Sequence, residues 1–200
     1  MASRRRAGRP AGESRTREDI LAAARVRFAE TGYDRTSLRG VAAAAGVDVA
    51  LVSHYFGSKQ RLFAEAAELP VDPAEAVPRV LSGPREEIGR RLAERVLDVL
   101  GTPEGQRRVV ALIRAAASEE DAAAIVRERI TRELLMPLAT GLGLPDAPLR
   151  AALMTTQVVG LVMSRHIVQV DPLPGTDRAV LVDALAPTLQ RYLAGDLTAG

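Results

Sequence analysis

Two histidines, His54 and His166, and no cysteine occur in this chain of 200 residues. A thiolate nucleophile, a disulfide framework and a cysteine zinc site are therefore excluded, and two distant histidines do not suggest a metal centre. The carboxylates stand singly or in solvated pairs such as Glu86–Glu87 and Glu119–Glu120. No G-x-S-x-G, P-loop, G-x-G-x-x-G or His/carboxylate metal spacing occurs, so neither an enzyme nor a cofactor is expected. What stands out is the stretch "GVDVALVSHYFGSK", Gly46 to Lys59. It sets Ser53, His54, two of the chain's few aromatics and its one lysine side by side. Such a stretch suits a surface that is rigid on one side and touches something anionic on the other.

Spacing sharpens that reading. On a helical wheel of 100° per residue, Val52 and Phe56 point one way, with Val49 and Tyr55 beside them. Ala50, Leu51 and His54 point the other way, with Ser53 at the margin. One face can pack, and the other is small and nearly uncharged, of a size to enter a DNA major groove. The aromatics anchor and orient this helix, while Tyr55 and Lys59 lie at its end, where phosphates would pass.

The charge distribution agrees. Residues 1–62 hold 12 Lys and Arg against 6 Asp and Glu, a net +6, whereas residues 63–200 hold 15 against 19, a net −4. A basic first third on an acidic remainder points to an anionic polymer as the partner of one end.

The elements that must position these residues read as helices throughout, with no strand alternation and no internal repeat. Residues 1–15, with five arginines, Gly8, Pro10 and Gly12, form a basic arm too polar to bury. A helix from Thr16 carries Ile20, Leu21, Ala24 and Phe28 on one face and stops at Gly32. Thr36 or Ser37 caps the next, whose buried face is Leu38, Val41, Ala42 and Ala45. Gly46-Val47-Asp48 then turns the chain into the short helix 49–56, a helix-turn-helix spacing. A fourth helix after Gly57-Ser58 carries Leu62, Phe63 and Ala66. Four prolines across Leu69 to Pro84 predict an irregular connection. Beyond it, Ile88, Leu92, Val96 and Val99 share one helical face, and Val109, Val110, Leu112 and Ile113 follow a Thr102–Pro103 cap. A helix from about Glu119 to Leu142 should kink at Pro137. The last two run from about Ala147 to Val170 and Thr176 to Ala194.

The stretch "TSLRGVAAAAGVDVALVSHYFGSKQRLF" (Thr36 to Phe63) closely resembles the DNA-binding domain of the tetracycline-repressor (TetR) family. The preceding "ILAAARVRFAETGYDRTS" resembles its first helix with the habitual G-Y/F-x-x-T-S/T. The resemblance covers roughly residues 16–63 and rests on spacing, both glycines, "YFGSK" and the caps. It implies an all-α chain of about nine helices: a basic arm over 1–15, a three-helix helix-turn-helix domain over 16–62, and a larger ligand-binding and dimerisation domain over 63–200. Residue by residue, Arg39 looks like the position that reaches a base edge. Val49, Ala50, Leu51, Ser53 and His54 look like the groove-facing set, and Ser37, Tyr55 and Lys59 like phosphate contacts. Many members carry an aromatic where this chain has Ser53, which leaves Tyr55 to take part of that contact. Arg4, Arg5, Arg6 and Arg9 of the arm are expected to meet phosphates or the minor groove.

In the C-terminal domain Arg114, Thr156 and Gln157 interrupt apolar helices and are the candidate ligand contacts. The apolar breadth of 149–170 and 177–193, with Val158 and Leu185 in it, exceeds what one exposed face needs and fits burial in a homodimer. Apart from Phe63 at its first position and Tyr192 the domain has no aromatic residue, so a pocket there must be aliphatic. The longest nearly apolar run, Ala151 to Met163, has 13 residues, short of the ~20 a membrane span needs. Arg4 to Arg6 precede no apolar signal core, so a cytoplasmic location is expected. The expected function is a transcriptional regulator, most simply a repressor, released from a palindromic double-stranded DNA operator by a small-molecule effector. The alternative is a helix-turn-helix DNA binder that senses nothing, and an enzyme ranks behind both.

Overall fold

A computed structural model describes residues 11–66, 71–117 and 120–197. Among them the regular elements are helices, without a strand, as the periodicity predicts. Arg4, Arg5, Arg6 and Arg9 lie outside the described residues. The chain divides into two compact units, Met1–Ala67 and Glu68–Gly200.

The first unit holds α1 (Ala11–Arg35), α2 (Leu38–Ala45), α3 (Val49–Phe56) and α4 (Lys59–Ala66). α1 begins five residues before Thr16, because Ala11, Glu13 and Arg15 are good helix formers and Gly12 costs only about 1 kcal/mol. Its apolar stripe is the expected one: Ile20, Leu21, Ala24 and Phe28 are all buried. Val41, Val52, Phe56, Leu62 and Phe63 from the other three helices are buried as well. Phe28, Tyr33 and Phe63 form a ring cluster, with Phe63 set edge-on to both others at 4.9 Å. Each buried Phe contributes about 1.5–3 kcal/mol. Phe63 therefore belongs to this core, and the unit runs to Ala67, past residue 62 where the sequence placed the domain boundary.

The second unit contains α5 (Pro73–Leu81), α6 (Ile88–Gly101), α7 (Pro103–Ala116), α8 (Glu120–Ile125), α9 (Met136–Gly141), α10 (Ala147–Val162) and α11 (Arg178–Ala194). α5 corrects the expectation of an irregular connection. Asp72 accepts from the Ala74 N–H, and Pro73 occupies the first turn, where a missing N–H costs nothing. Pro78 sits on the exposed side, while Ala76 and Val80 are buried. Between α8 and α9 the chain runs as a π-helix over Val126–Leu135, and Pro137 falls in the first turn of α9. The Met136 N–H reaches back to the Thr131 carbonyl. The wider register just before Pro137 takes the place of the expected sharp kink, since proline cannot donate to the preceding turn.

The closest helix pair in this unit is α6 with α11. Gly89 makes it so: a methyl group there would lie 2.4 Å from the Gln190 backbone nitrogen and 2.5 Å from the Ala186 carbonyl oxygen. Gln190 fastens the approach, accepting from the Gly89 N–H at 2.8 Å and donating to the Arg85 carbonyl at 2.9 Å. Arg150, buried at 3 % exposure, donates to the carbonyls of Pro145, Tyr192 and Gly195. It holds the C-terminal end of α11, where unpaired carbonyls and the helix dipole both favour a cation.

Candidate nucleic-acid interface

Three glycine-and-hydroxyl devices set the angle between the short helices. At Gly32 the backbone takes φ 79°, ψ 171° and turns α1 out of its helical path, a conformation that only glycine adopts without strain. Thr36, 2 % exposed, locks the turn: its hydroxyl donates to the Gly32 carbonyl at 2.7 Å and lies 2.8 Å from the Thr31 hydroxyl. Next in line, Ser37 caps α2, accepting from the Gly40 N–H at 3.1 Å. Of the two possible caps, Ser37 is the one used. At the far end of α2, Gly46 is left-handed (φ 67°), and its N–H bonds back to Ala42 and Ala43. Asp48 then caps α3, accepting from the Ala50 N–H at 2.7 Å.

α3 is thereby fixed at both ends, and its two faces separate as the wheel predicts except at Val49, which the wheel set beside Val52 and Phe56 and which is exposed. Val52 and Phe56 are 0 % and 2 % exposed. Val49, Ala50, Leu51, Ser53 and His54 all face solvent. Val49 and Leu51 are two of the few large apolar side chains that do so, an arrangement costly for a helix with no partner. Tyr55 is half-buried, its ring 5.5 Å from the His54 ring and 6.3 Å from that of Phe56. It therefore braces the histidine from the inner side. Arg39 projects from the first turn of α2 into solvent. The Ser37 oxygen spends one lone pair on the cap, so its proton is available to an incoming acceptor.

Lys59 is more constrained than expected. Ser58 caps α4, accepting from the Arg61 N–H. The Lys59 ammonium lies 4.2 Å from the centre of the Tyr33 ring and donates to the Asp34 carbonyl at 3.2 Å. Ring and carbonyl offset the unfavourable position beside the positive end of α4, and the other two ammonium protons remain to donate. Arg17, by contrast, is structural. It pairs with Glu65 and lies 5.3 Å from the Phe56 ring, tying α1 to α3 and α4. Part of the basic excess of the first unit is thus spent inside it.

Two domain families match this sequence. Bacterial regulatory proteins of the tetR family match residues 20–66, and the tetracyclin repressor-like C-terminal domain matches residues 86–193. The chain belongs to the TetR family. A TetR-family regulator from Streptomyces coelicolor A3 shares 36 % identity over 94 % of this chain and 99 % of its own, with a TM-score of 0.63. NalD, the secondary repressor of the MexAB-OprM multidrug efflux pump in Pseudomonas aeruginosa, shares the fold at 24 % identity, covering 88 % and 96 % of the two chains, with a TM-score of 0.67. GusR of Salmonella enterica does so at 21 %, over 90 % and 95 %, with the same TM-score of 0.67. No curated protein matches the sequence. Membership places the chain among DNA-binding transcriptional regulators and not among enzymes. No helix among the described residues is long and apolar enough to cross a membrane.

The C-terminal unit encloses space. A half-open cavity of about 90 Å³ lies between α5, α6, α7, the π-segment, α9 and α10. Val77, Val80, Val96, Val99, Leu134 and Leu138 are among its wall residues, and Arg95 is the one charged group. This explains Val96 and Val99, which share the apolar face of α6 yet are only half-buried. The Arg95 Nε is buried without a hydrogen-bond partner. The three polar residues expected in a pocket are elsewhere. Arg114 and Thr156 are exposed, Thr156 donates to the Leu153 carbonyl, and none of Arg114, Thr156 and Gln157 lines this cavity. The neighbouring Thr155 bonds across a helix interface to Thr131 at 2.9 Å. Arg95 carries no mark in the sequence, since it looks like one more solvated arginine in "IGRRLAERV". Val158, expected on the outer face of α10, also lines the cavity.

Proposed function

We propose that this TetR-family chain is a homodimeric transcriptional repressor that binds a pseudo-palindromic operator through α3 and is released by an aliphatic small molecule. One observation carries the DNA half of the reading: α3 exposes Val49, Ala50, Leu51, Ser53 and His54 together while Val52 and Phe56 anchor it. The outer face is narrow and nearly uncharged, suited to the floor of a major groove. Arg39 lies beside it as a base reader, and Ser37, Tyr55 and Lys59 flank it as phosphate donors that fix register. The arm arginines Arg4, Arg5, Arg6 and Arg9 add sequence-independent attraction.

Dimerisation is supported by the surface of the last helices. Leu149, Val168, Val170 and Val180 are large apolar residues left 46–62 % exposed, and a methyl group at Gly160 would meet nothing. Such a patch over 149–170 and 177–193 fits an isologous two-fold interface. Two copies of α3 then address two half-sites.

The cavity favours the ligand-responsive reading over a DNA binder that senses nothing. Val, Leu and Ile line it, no aromatic side chain is present to stack on a planar cation, and a filled core would have been the more stable choice. An effector releases the operator only to the extent that it binds the DNA-free conformation better, by the same factor that it weakens DNA binding. The test is selection of bound genomic fragments by the full chain, then a release screen on the selected duplex. Recovery of a palindrome, with release by aliphatic compounds, is expected. Release by planar cationic dyes alone would overturn the ligand reading, and failure to enrich any sequence would overturn the operator reading.

A further inference from the structure

A second cavity, of about 440 Å³, opens between the end of α6, the start of α7, the chain following α10 and the start of α11. Its size suits a small ligand, and its chemistry is the opposite of the first. Arg165, His166, Gln106, Gln169 and Arg178 line it, and no carboxylate does. Arg178 is already paired with Asp98. Arg165 donates through one Nη to the Thr176 carbonyl at 3.2 Å, but its other Nη is buried with no partner, and so is the Nε2 of His166. Two adjacent wall residues of one cavity thus hold buried nitrogens without partners.

The backbone that presents them is irregular. Met163–Ile167 is a π-helix, the Val168 N–H reaches back to the Met163 carbonyl at 2.7 Å, and Gln169 is left-handed at φ 58°. Wide helical turns and left-handed non-glycine residues both cost stability and concentrate at functional positions. Here the wide turn carries Arg165 and His166, and the strained residue is itself a wall residue. Burying unpaired N–H groups carries a further cost. A ligand with acceptor atoms and negative charge would remove this last cost.

We propose that this cavity is an oxyanion site, binding the carboxylate or phosphoryl group of a small polar molecule through Arg165 and His166. It is separate from the aliphatic cavity and would give the regulator a second, chemically distinct input. Arginine suits the role because its planar fork matches carboxylate and phosphate oxygens.

The two histidines, one in each unit, make the site readable in the full-length protein. The imidazole Cε1–H resonances of His54 and His166 would be titrated in chloride, phosphate and acetate at equal ionic strength. With no ligand, burial and then the charge of Arg165 hold the His166 pKa below its ordinary 6.5. A bound anion relieves that repulsion, so its proton affinity should rise by at least about threefold, roughly half a pH unit. A rise in phosphate alone identifies a phosphoryl ligand, and a rise in acetate alone a carboxylate. Arg165→Gln should raise the His166 midpoint in chloride and abolish the difference between media. Identical His166 curves in all three salts, equal shifts of both histidines, or a full anion effect surviving in Arg165→Gln would overturn the proposal. The wild-type comparison decides it even if the variant does not fold, and no DNA enters the readout, so the result is independent of the operator reading.

Discussion

At the scale of single residues, the structure separates groups that read from groups that hold. Arg39 is solvent-exposed on a capped helix, and an arginine matched to guanine discriminates by about 1–3 kcal/mol. Arg39→Ala should therefore lose mainly operator affinity, with relaxed preference at one symmetric pair of bases. Lys59→Ala should weaken operator and scrambled duplex alike and lower the salt slope by about one unit. It should also lower thermal stability slightly, because the Tyr33 ring and the Asp34 carbonyl lose their cation. Salt titrations of both variants on both duplexes, with melting curves, check this. His166 gives a pH prediction. Its pKa is depressed on folding, so the unfolded chain binds its proton more readily. Its contribution to stability is complete above the ordinary 6.5 and is lost as pH falls below it. Denaturant midpoints of wild type and His166→Gln, measured from pH 7.5 to 5, should converge or cross on the acid side. Parallel curves would count against it.

At the scale of elements, the DNA-binding helices were legible in the sequence because every local signal agreed. Apolar spacing, Ser37 and Asp48 caps and the Gly32, Gly46 and Gly57 turns fall within thirty residues and leave one arrangement open. α5 was not legible, since four prolines read as breakers until Pro73 is found at a first turn behind an Asp72 cap. The aliphatic cavity was half legible. Its lining type follows from composition, but which polar residue enters it depends on tertiary packing, and Arg95 has no local mark that sets it apart. Gly89 was invisible for the same reason. A glycine in mid-helix reads as a weakness, and only the crossing of α6 with α11 shows what it permits. Gly89→Ala should cost at least about 1–3 kcal/mol, the penalty of overpacking, even though alanine is the better helix former by about 1 kcal/mol. Chemical denaturation measures the balance, and a stabilised variant would contradict the observed close approach.

At the scale of the whole molecule, the account requires two copies. Val180 is 56 % exposed at the start of α11, whereas Val158 faces the cavity, so Val180 is the cleaner probe. Val180→Glu should shift the protein toward monomer in sedimentation at micromolar concentration and reduce operator affinity, with helical content unchanged. A wild type that sediments as a monomer would remove the two-fold reading. The central claim, that the outer face of α3 meets DNA, can be tested without disturbing the fold. Ala50 is exposed and contributes nothing to the core, so Ala50→Glu places one carboxylate where base edges and phosphates would come. The measurement is fluorescence anisotropy of wild type and Ala50→Glu on the duplex recovered by fragment selection, with melting temperature as the control. The account predicts at least about a hundredfold loss of affinity, roughly 2.7 kcal/mol, at unchanged melting temperature. Full affinity in Ala50→Glu would contradict it.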